Sequence, residues 1–132
     1  MILLDTHAAF WLNSAPEKLS RDASRAIRRA ASSSGLAISS ISLWELATLV
    51  AAGRLRLRKG TTRGFLEALV QTPGLVLLEI SSEVASTASE LPRDFPRDPA
   101  DRIIGATAIV HDLPLLTEDR ELQDSPLLRT LW

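Results

Sequence analysis

The segment RDPADRIIGATAIVHDLPLLTEDREL, which runs from Arg97 to Leu122, carries the pattern that best indicates the fold. Its apolar residues predict a buried helix followed directly by a buried strand. Asp98 and Asp101 stand at the start of the helix, and Asp119 follows the strand. These carboxylates are either helix caps placed for folding or the oxygen ligands of a metal site.

The same alternation of strands and helices continues through the rest of the chain. We find no internal repeat and no linker rich in Gly, Pro or Ser, so residues 1–132 are expected to form one α/β domain with a mainly parallel sheet. The predicted strands are Ile2–Leu4, Leu36–Ser39, Leu75–Ser81, Leu115–Thr117 and a short last strand within 127–132. The predicted helices cover 6–13, 20–31, 42–52, 61–72, 82–91 and 101–111.

Composition excludes several classes of function. The chain has 132 residues and no cysteine, so disulfides, thiolate zinc sites and a cysteine nucleophile are excluded. No apolar run is long enough to span a membrane, and the N-terminus lacks the features of a signal peptide. We therefore expect a soluble, unprocessed protein of the cytoplasm. The net charge of −1 gives no global basic field, although 13 of the 15 basic residues are arginine.

Five acidic residues follow predicted strands or open predicted helices. They are Asp5, Glu45, Asp98, Asp101 and Asp119. The carboxyl ends of parallel strands share one edge of a sheet, which is where open α/β folds bind their ligands. Residues far apart in the sequence are therefore expected to meet in one acidic pocket.

Each acid, taken alone, also suits a helix cap. Ser42-Leu-Trp-Glu45 has the form of a capping box, and Asp98-Pro99 places an N-cap aspartate before a proline at the first helical position. Serine and threonine cap equally well and are abundant here, so capping alone explains poorly why so many of these positions are acidic. Converging carboxylates repel one another unless a cation neutralises their charge. A site made of carboxylate oxygens, in a chain that has no cysteine, favours Mg²⁺ or Mn²⁺ as that cation.

Three motifs resemble the PIN domain, and more narrowly the VapC-type toxins of bacterial toxin–antitoxin modules. They are LLDTHAAFWL (3–12), SISLWELATLVAAGRL (40–55) and DPADRIIGATAIVHDLPLLTEDREL (98–122). The resemblance covers nearly the whole chain. It implies a three-layer α/β/α fold with a central sheet of four to five strands. It also implies an endoribonuclease that depends on Mg²⁺ or Mn²⁺, inhibited by a VapB-like antitoxin, and commonly a homodimer.

The resemblance also assigns the site, residue by residue. It implies that Asp5, Glu45, Asp101 and Asp119 are the catalytic and metal-binding acids. Asp98 is then the N-cap that positions Asp101, with a role as a further metal ligand left open. Two hydroxyls beside the metal site, those of Thr6 and Thr117, are candidates for binding substrate. Ala100, where an aromatic residue is frequent, and Gly105 depart from the pattern.

A basic segment and two tryptophans are candidates for binding surfaces. GRLRLRKG (53–60), if extended, places Arg54, Arg56 and Arg58 on one face, where they would follow an RNA backbone. The alternative is a solvated edge or loop that discourages strand pairing. Trp11 and Trp44 are expected to lie in the core, or else in a groove for an antitoxin peptide.

Other functions fit the sequence less well. A receiver domain requires a lysine after a late strand, but the lysines are Lys18 and Lys59. A HAD-type phosphatase requires a second aspartate where His7 stands. We expect His7 to be a capped or partly exposed helix residue, with an approach to substrate as the alternative. His111 is expected to meet the negative end of its helix. A PIN-like module that binds RNA or protein without catalysis is the main alternative, and the retained acids argue against it.

Overall fold

A parallel five-stranded sheet forms the centre of the computed structural model, which describes residues 1–132. All four strand pairings are parallel, and the strand order is β3-β2-β1-β4-β5. The strands are β1 (Ile2–Leu4), β2 (Leu36–Ser39), β3 (Leu75–Leu78), β4 (Leu115–Leu116) and β5 (Thr130–Leu131). The helices are α1 (Thr6–Ser14), α2 (Arg21–Ala31), α3 (Ser40–Ala51), α4 (Thr62–Val70), α5 (Ser82–Glu90), α6 (Pro99–Val110) and α7 (Arg120–Gln123).

Helices cover both faces of the sheet, which confirms the predicted three-layer architecture. Alternate residues of a strand point to opposite faces, so Leu4 and Leu3 belong to different cores. Leu4 packs in the core with residues of α1, α2 and α4. Leu3 packs in the core with residues of α6 and α7. The central strands β1, β2 and β4 are largely buried on both faces and consist almost entirely of apolar residues, as is typical of parallel sheets.

The order of the strands reverses direction beside β1. From β1 the chain moves to β2 and β3 on one side, then crosses to β4 and β5 on the other. Ligands of open α/β sheets bind where the order reverses, outside the carboxyl ends of the strands. Here that position lies beyond the ends of β1 and β4, where Asp5 and Thr117 follow the strands.

One predicted helix start is confirmed and another is wrong. Helix α6 begins as expected, with Asp98 as N-cap, Pro99 in the first turn and the Asp98 side chain accepting from the Asp101 amide. Helix α3 instead begins at Ser40, with Ser39 as its cap, so the predicted capping box at Ser42 does not form. The reason is a tertiary contact of the Ser42 side chain. Ser42 is fully buried, and its Oγ accepts a 3.0 Å hydrogen bond from the Thr6 hydroxyl.

Gly105 lies in the middle of α6, on the side of the helix that packs against Phe95 in the preceding loop. A Cβ atom at this position would lie 2.5 Å from Cζ of Phe95, whose side chain is buried in the core beneath the helix. The absence of a side chain at Gly105 therefore allows the Phe95 ring to pack against the helix. Arg102 holds the same loop by donating hydrogen bonds to the carbonyl oxygens of Leu91 and Pro96.

The segment 53–60 is a loop of turns and bends, as the alternative of a solvated loop predicts, and not an extended strand. Leu55 and Leu57 are half-buried against the core, and Arg54, Arg56 and Arg58 are exposed. The bases therefore do face solvent, although the segment adds no strand to the sheet. None of the helices is long and apolar enough to cross a membrane.

Candidate metal centre

An open pocket of about 660 Å³ lies beyond the carboxyl ends of β1 and β4. All five acidic residues singled out from the sequence line it, and a sixth, Glu118, joins them. The remaining wall residues are His7, Ala8, Trp11, Trp44, Thr48, Leu49 and Arg54. The expected convergence of distant carboxylates on one edge of the sheet is therefore observed.

Three of the acids stand close enough to share one metal ion. Ligand oxygens of Glu45, Asp98 and Asp101 all lie within 4.8 Å of one another. Asp98 is exposed, and the other two are half-buried. Asp5 and Asp119 line the same pocket but lie outside this tight group. Asp98 is thus both the N-cap of α6 and a member of the carboxylate cluster.

Helix capping is what holds several of these acids in place. Asp98 Oδ1 accepts a 3.1 Å hydrogen bond from the Asp101 amide, and Asp119 Oδ1 accepts a 2.9 Å bond from the Glu121 amide. Capping uses one oxygen of each carboxylate and leaves the other available to a ligand. Capping and metal binding are therefore compatible at these positions.

Asp5 is the most constrained of the acids. It is 8% exposed, and both of its oxygens accept hydrogen bonds: Oδ1 from the Thr6 amide at 2.8 Å and Oδ2 from the Thr117 hydroxyl at 2.6 Å. The Thr117 hydroxyl oxygen in turn accepts a 3.0 Å bond from the Asp119 amide. Thr117 therefore links the acids that follow β1 and β4.

Both threonines act from below the pocket. Thr6 and Thr117 are fully buried, and neither lines the pocket. Both hydroxyls form hydrogen bonds inside the protein, and contact between them and substrate stays a prediction. The Thr6 hydroxyl donates to Ser42 on α3, the helix that carries Glu45, and the Thr117 hydroxyl orients Asp5.

Asp101 has a strongly perturbed pKa. Its pKa is raised from 3.8 to about 7, mainly by burial and further by repulsion from Asp5, Asp98, Asp119 and Glu45. This set of repulsions indicates that all five charges act on one region.

Burial is also the main cause at the other two perturbed acids. It raises the pKa of Asp5, against the hydrogen bond from Thr117, which lowers it. It raises the pKa of Glu45, partly offset by the Thr6 hydroxyl, with further increases from Asp5 and Asp98.

None of the protein's salt bridges involves the acids of the pocket. The three salt bridges of the structure are Arg25–Asp22, Arg63–Glu67 and Arg129–Asp112, all exposed and none involving the pocket acids. A cluster of carboxylates that forms no salt bridge is stabilised by a bound cation. Oxygen ligands from carboxylates alone suit a hard divalent ion, so the residues present fit a metal centre.

Of the basic residues and tryptophans that the sequence suggested for binding surfaces, Arg54 lines the pocket and Trp44 is an exposed part of its wall. Arg54 is the only one of the three predicted arginines that lines the pocket; Arg56 and Arg58 do not. Trp11 is 7% exposed and belongs to the core, as expected. Trp44 is 61% exposed and forms part of the pocket wall, so of its two predicted places the core is wrong.

Sequence reasoning missed Glu118 and favoured a partly exposed helix residue for His7 over a place in the site. Both are exposed and line the pocket. Glu118 directly precedes Asp119, and the pattern of residues after a strand does not tell which of two neighbouring acids faces the pocket. His7 follows Thr6 at the start of α1, where one residue along a helix turns the side chain to a different face. His111 is the exposed C-cap of α6, as predicted.

Comparisons with known proteins agree with this arrangement. Residues 2–126 match the model of the PIN domain family. The chain is 42% identical over 136 residues to ribonuclease VapC22 of Mycobacterium tuberculosis, covering 99% of this chain and 98% of that protein.

Solved structures share the fold at lower identity. One is the VapBC2 complex of Rickettsia felis bound to a promoter DNA fragment, with a TM-score of 0.74 at 22% identity, covering 99% of this chain and 98% of that one. DNA-bound VapBC of Salmonella typhimurium has a TM-score of 0.68 at 21% identity, with coverage of 99% and 98%. FitAcB of Neisseria gonorrhoeae has a TM-score of 0.65 at 23% identity, with coverage of 100% and 97%.

Proposed function

This chain belongs to the PIN domain family, and from that premise we propose that it is a metal-dependent endoribonuclease of the VapC type, the toxin of a toxin–antitoxin module. The observation that carries the proposal is the group formed by Glu45, Asp98 and Asp101, whose oxygens lie within 4.8 Å of one another in an open pocket. The relative that is 42% identical over the full chain is named a ribonuclease, which supports RNA as the substrate.

The metal in this proposal is Mg²⁺ or Mn²⁺. Glu45, Asp98 and Asp101 would hold it, with Asp5 and Asp119 beside them in the same pocket. When bound, such an ion lowers the pKa of a coordinated water and neutralises the charge that develops on the phosphate.

The chain's own residues prepare the site for this chemistry. Thr117 and the Thr6 amide fix both oxygens of Asp5, so this carboxylate has one orientation before substrate arrives. The Asp98 and Asp119 caps fix the two flanking acids at the starts of their helices. Such preorganisation reduces the rearrangement required during the reaction. Asp5, Glu45, Asp101 and Asp119 are the proposed catalytic acids.

The biological context of the proposal has three parts. The cognate partner is a VapB-like antitoxin, supported by the solved VapBC complexes that share the fold. The protein acts in the cytoplasm, as one domain formed by residues 1–132.

The protein forms a homodimer. This proposal is supported by exposed apolar side chains on and after the edge strand β3, namely Val76, Leu77 and Ile80. The molar mass in solution tests the dimer directly.

Cleavage assays with and without metal test the function. Purified protein should cleave RNA with Mg²⁺ or Mn²⁺, should lose activity in excess EDTA, and should regain it when Mn²⁺ is added back. Expression in bacteria should arrest growth, and co-expression of a small protein encoded beside its gene should restore growth. Binding of RNA without cleavage under every metal condition would instead indicate a non-catalytic PIN-like module.

A further inference from the structure

We propose that Trp44 and Arg54 form a nucleotide-binding subsite in the wall of the acidic pocket, in which Trp44 stacks on a base of the RNA and Arg54 binds a phosphate. This inference rests on the proposed ribonuclease function and assigns the residues that position its substrate. The carboxylates provide the chemistry but repel RNA, so a separate group must hold the nucleic acid beside them.

Trp44 is highly exposed and belongs to none of the hydrophobic cores of the protein. Its side chain is 61% exposed, more than any other large hydrophobic residue of the protein. It lies directly before Glu45 on α3 and faces the pocket, while its neighbour Leu46 is fully buried in the core. The other two tryptophans pack against each other, with ring centroids 6.0 Å apart, whereas Trp44 has no aromatic or cationic partner.

Arg54 is a cation without a partner in a pocket rich in anions. It lines the same pocket as six carboxylates, yet it forms no salt bridge and its side chain donates no hydrogen bond within the protein. Its backbone is fixed, because its amide donates a 2.9 Å hydrogen bond to the Leu49 carbonyl at the end of α3. The guanidinium is therefore available to bind a phosphate in a bidentate manner.

Helix α3 and the loop that follows it carry these two residues. Thr48 and Leu49 lie between Trp44 and Arg54 in the sequence and also line the pocket, and the Thr48 hydroxyl donates to the Trp44 carbonyl at 2.9 Å. An exposed aromatic ring and an arginine that line one pocket are the two groups that proteins combine to bind unpaired nucleotides. A base inside a duplex cannot present its face to an indole, so the subsite accepts an unpaired nucleotide.

Steady-state cleavage of a fluorescein-labelled single-stranded oligoribonucleotide tests the subsite. Trp44→Leu, which keeps an apolar side chain but removes the ring, should raise KM by about 5- to 100-fold with kcat largely retained. Trp44→Phe should restore most of the affinity. Arg54→Ala should also raise KM, by about 3-fold or more, and this loss should shrink as the salt concentration increases.

Matched controls separate the subsite from general effects of charge and apolar surface. Arg29→Ala removes the same charge from an exposed position on α2, and Leu127→Ala removes an exposed apolar side chain that does not line the pocket. Both should leave KM within about 2-fold of the wild type, which is the scale expected of surface substitutions. Binding of a matched RNA duplex should be insensitive to Trp44→Leu.

The outcomes distinguish this inference from the proposed function. If the wild type cleaves RNA and Trp44→Leu has an unchanged KM, the subsite is wrong and the nuclease assignment stands. If both variants keep the KM for RNA but lose affinity for the antitoxin, the surface serves the protein partner and the subsite is again wrong. If the wild type cleaves no RNA with any metal, the proposed function itself fails.

Discussion

The Thr117 hydroxyl donates a 2.6 Å hydrogen bond to Oδ2 of Asp5, and so joins residues 112 positions apart in the chain at the floor of the acidic pocket. Both residues follow strands that pair side by side, β1 and β4. The bond exists because parallel pairing brings the carboxyl ends of these strands to the same edge. It fixes the orientation of the most deeply buried acid of the site.

Removing this bond should change activity and its pH dependence. In Thr117→Val, Asp5 loses the hydrogen bond that lowers its pKa against burial, so its pKa should rise. The acid limb of the kcat/KM profile should then move to higher pH, and kcat/KM at neutral pH should fall about 10-fold. Thr117→Ser keeps the hydroxyl and should restore both values. An unchanged pH profile in Thr117→Val would show that the bond serves folding alone.

The carboxylate cluster should destabilise the metal-free protein at neutral and higher pH. The pKa of Asp101 is about 7 in the folded protein and 3.8 ordinarily, so the folded state binds the proton more tightly. The free energy of unfolding should therefore fall as pH rises from about 4 to about 7 in EDTA. Asp101→Asn should remove most of this slope and stabilise the metal-free protein above that range by about 1–2 kcal/mol, after allowance for solvent screening.

Urea unfolding at several pH values in EDTA measures this effect, with Arg29→Ala as a control away from the pocket. A wild type whose stability does not decrease over that pH range would contradict the assignment of repulsion to the cluster.

Two substitutions at Asp98 separate its capping role from metal binding. Asparagine caps a helix as well as aspartate does but lacks the charge, so Asp98→Asn should keep the stability of the metal-free protein. The same change should weaken Mn²⁺ binding about 10-fold, as measured by calorimetry. Asp98→Ala should weaken binding similarly and also cost about 1 kcal/mol of stability, because the cap is lost. Wild-type affinity in Asp98→Asn would exclude Asp98 as a ligand.

Gly105→Ala should destabilise the protein although it is a glycine-to-alanine change inside a helix. Helix propensity alone predicts a gain of about 1 kcal/mol. The new Cβ would instead meet the Phe95 ring, 2.5 Å away, and overpacking of this kind costs about 1–3 kcal/mol. Adding Phe95→Leu to Gly105→Ala should recover part of the loss, which a double-mutant cycle in urea detects. A more stable Gly105→Ala protein would contradict the contact.

The sequence predicted features that depend on neighbouring residues. The start of α6 at Asp98-Pro99 was recognisable because capping residues act within one helical turn. The alternation of strands and helices predicted the convergence of the acids, because parallel strands can expose their carboxyl ends on only one edge. The family resemblance supplied the order of the acids along the chain.

Features set by tertiary contacts were not accessible in this way. The local sequence indicates a helix cap at Ser42, whereas the Ser42 hydroxyl in fact accepts a hydrogen bond from Thr6, 36 residues away. The position of Thr117 after a strand indicates a hydroxyl that faces the pocket, whereas the structure buries this side chain completely. The exposure of Trp44 follows from the way α3 is rotated on the sheet, which no local pattern determines.

Single-turnover RNA cleavage by the wild type and Asp101→Asn tests the central claim most directly. With saturating Mg²⁺ or Mn²⁺, and with both proteins shown to be folded by urea unfolding, the wild type should cleave and the variant should lose more than about 100-fold in rate. The variant should remain at least as stable as the wild type in EDTA, so its loss cannot be ascribed to unfolding. Equal cleavage rates in the two proteins would contradict a metal-dependent nuclease built on these carboxylates.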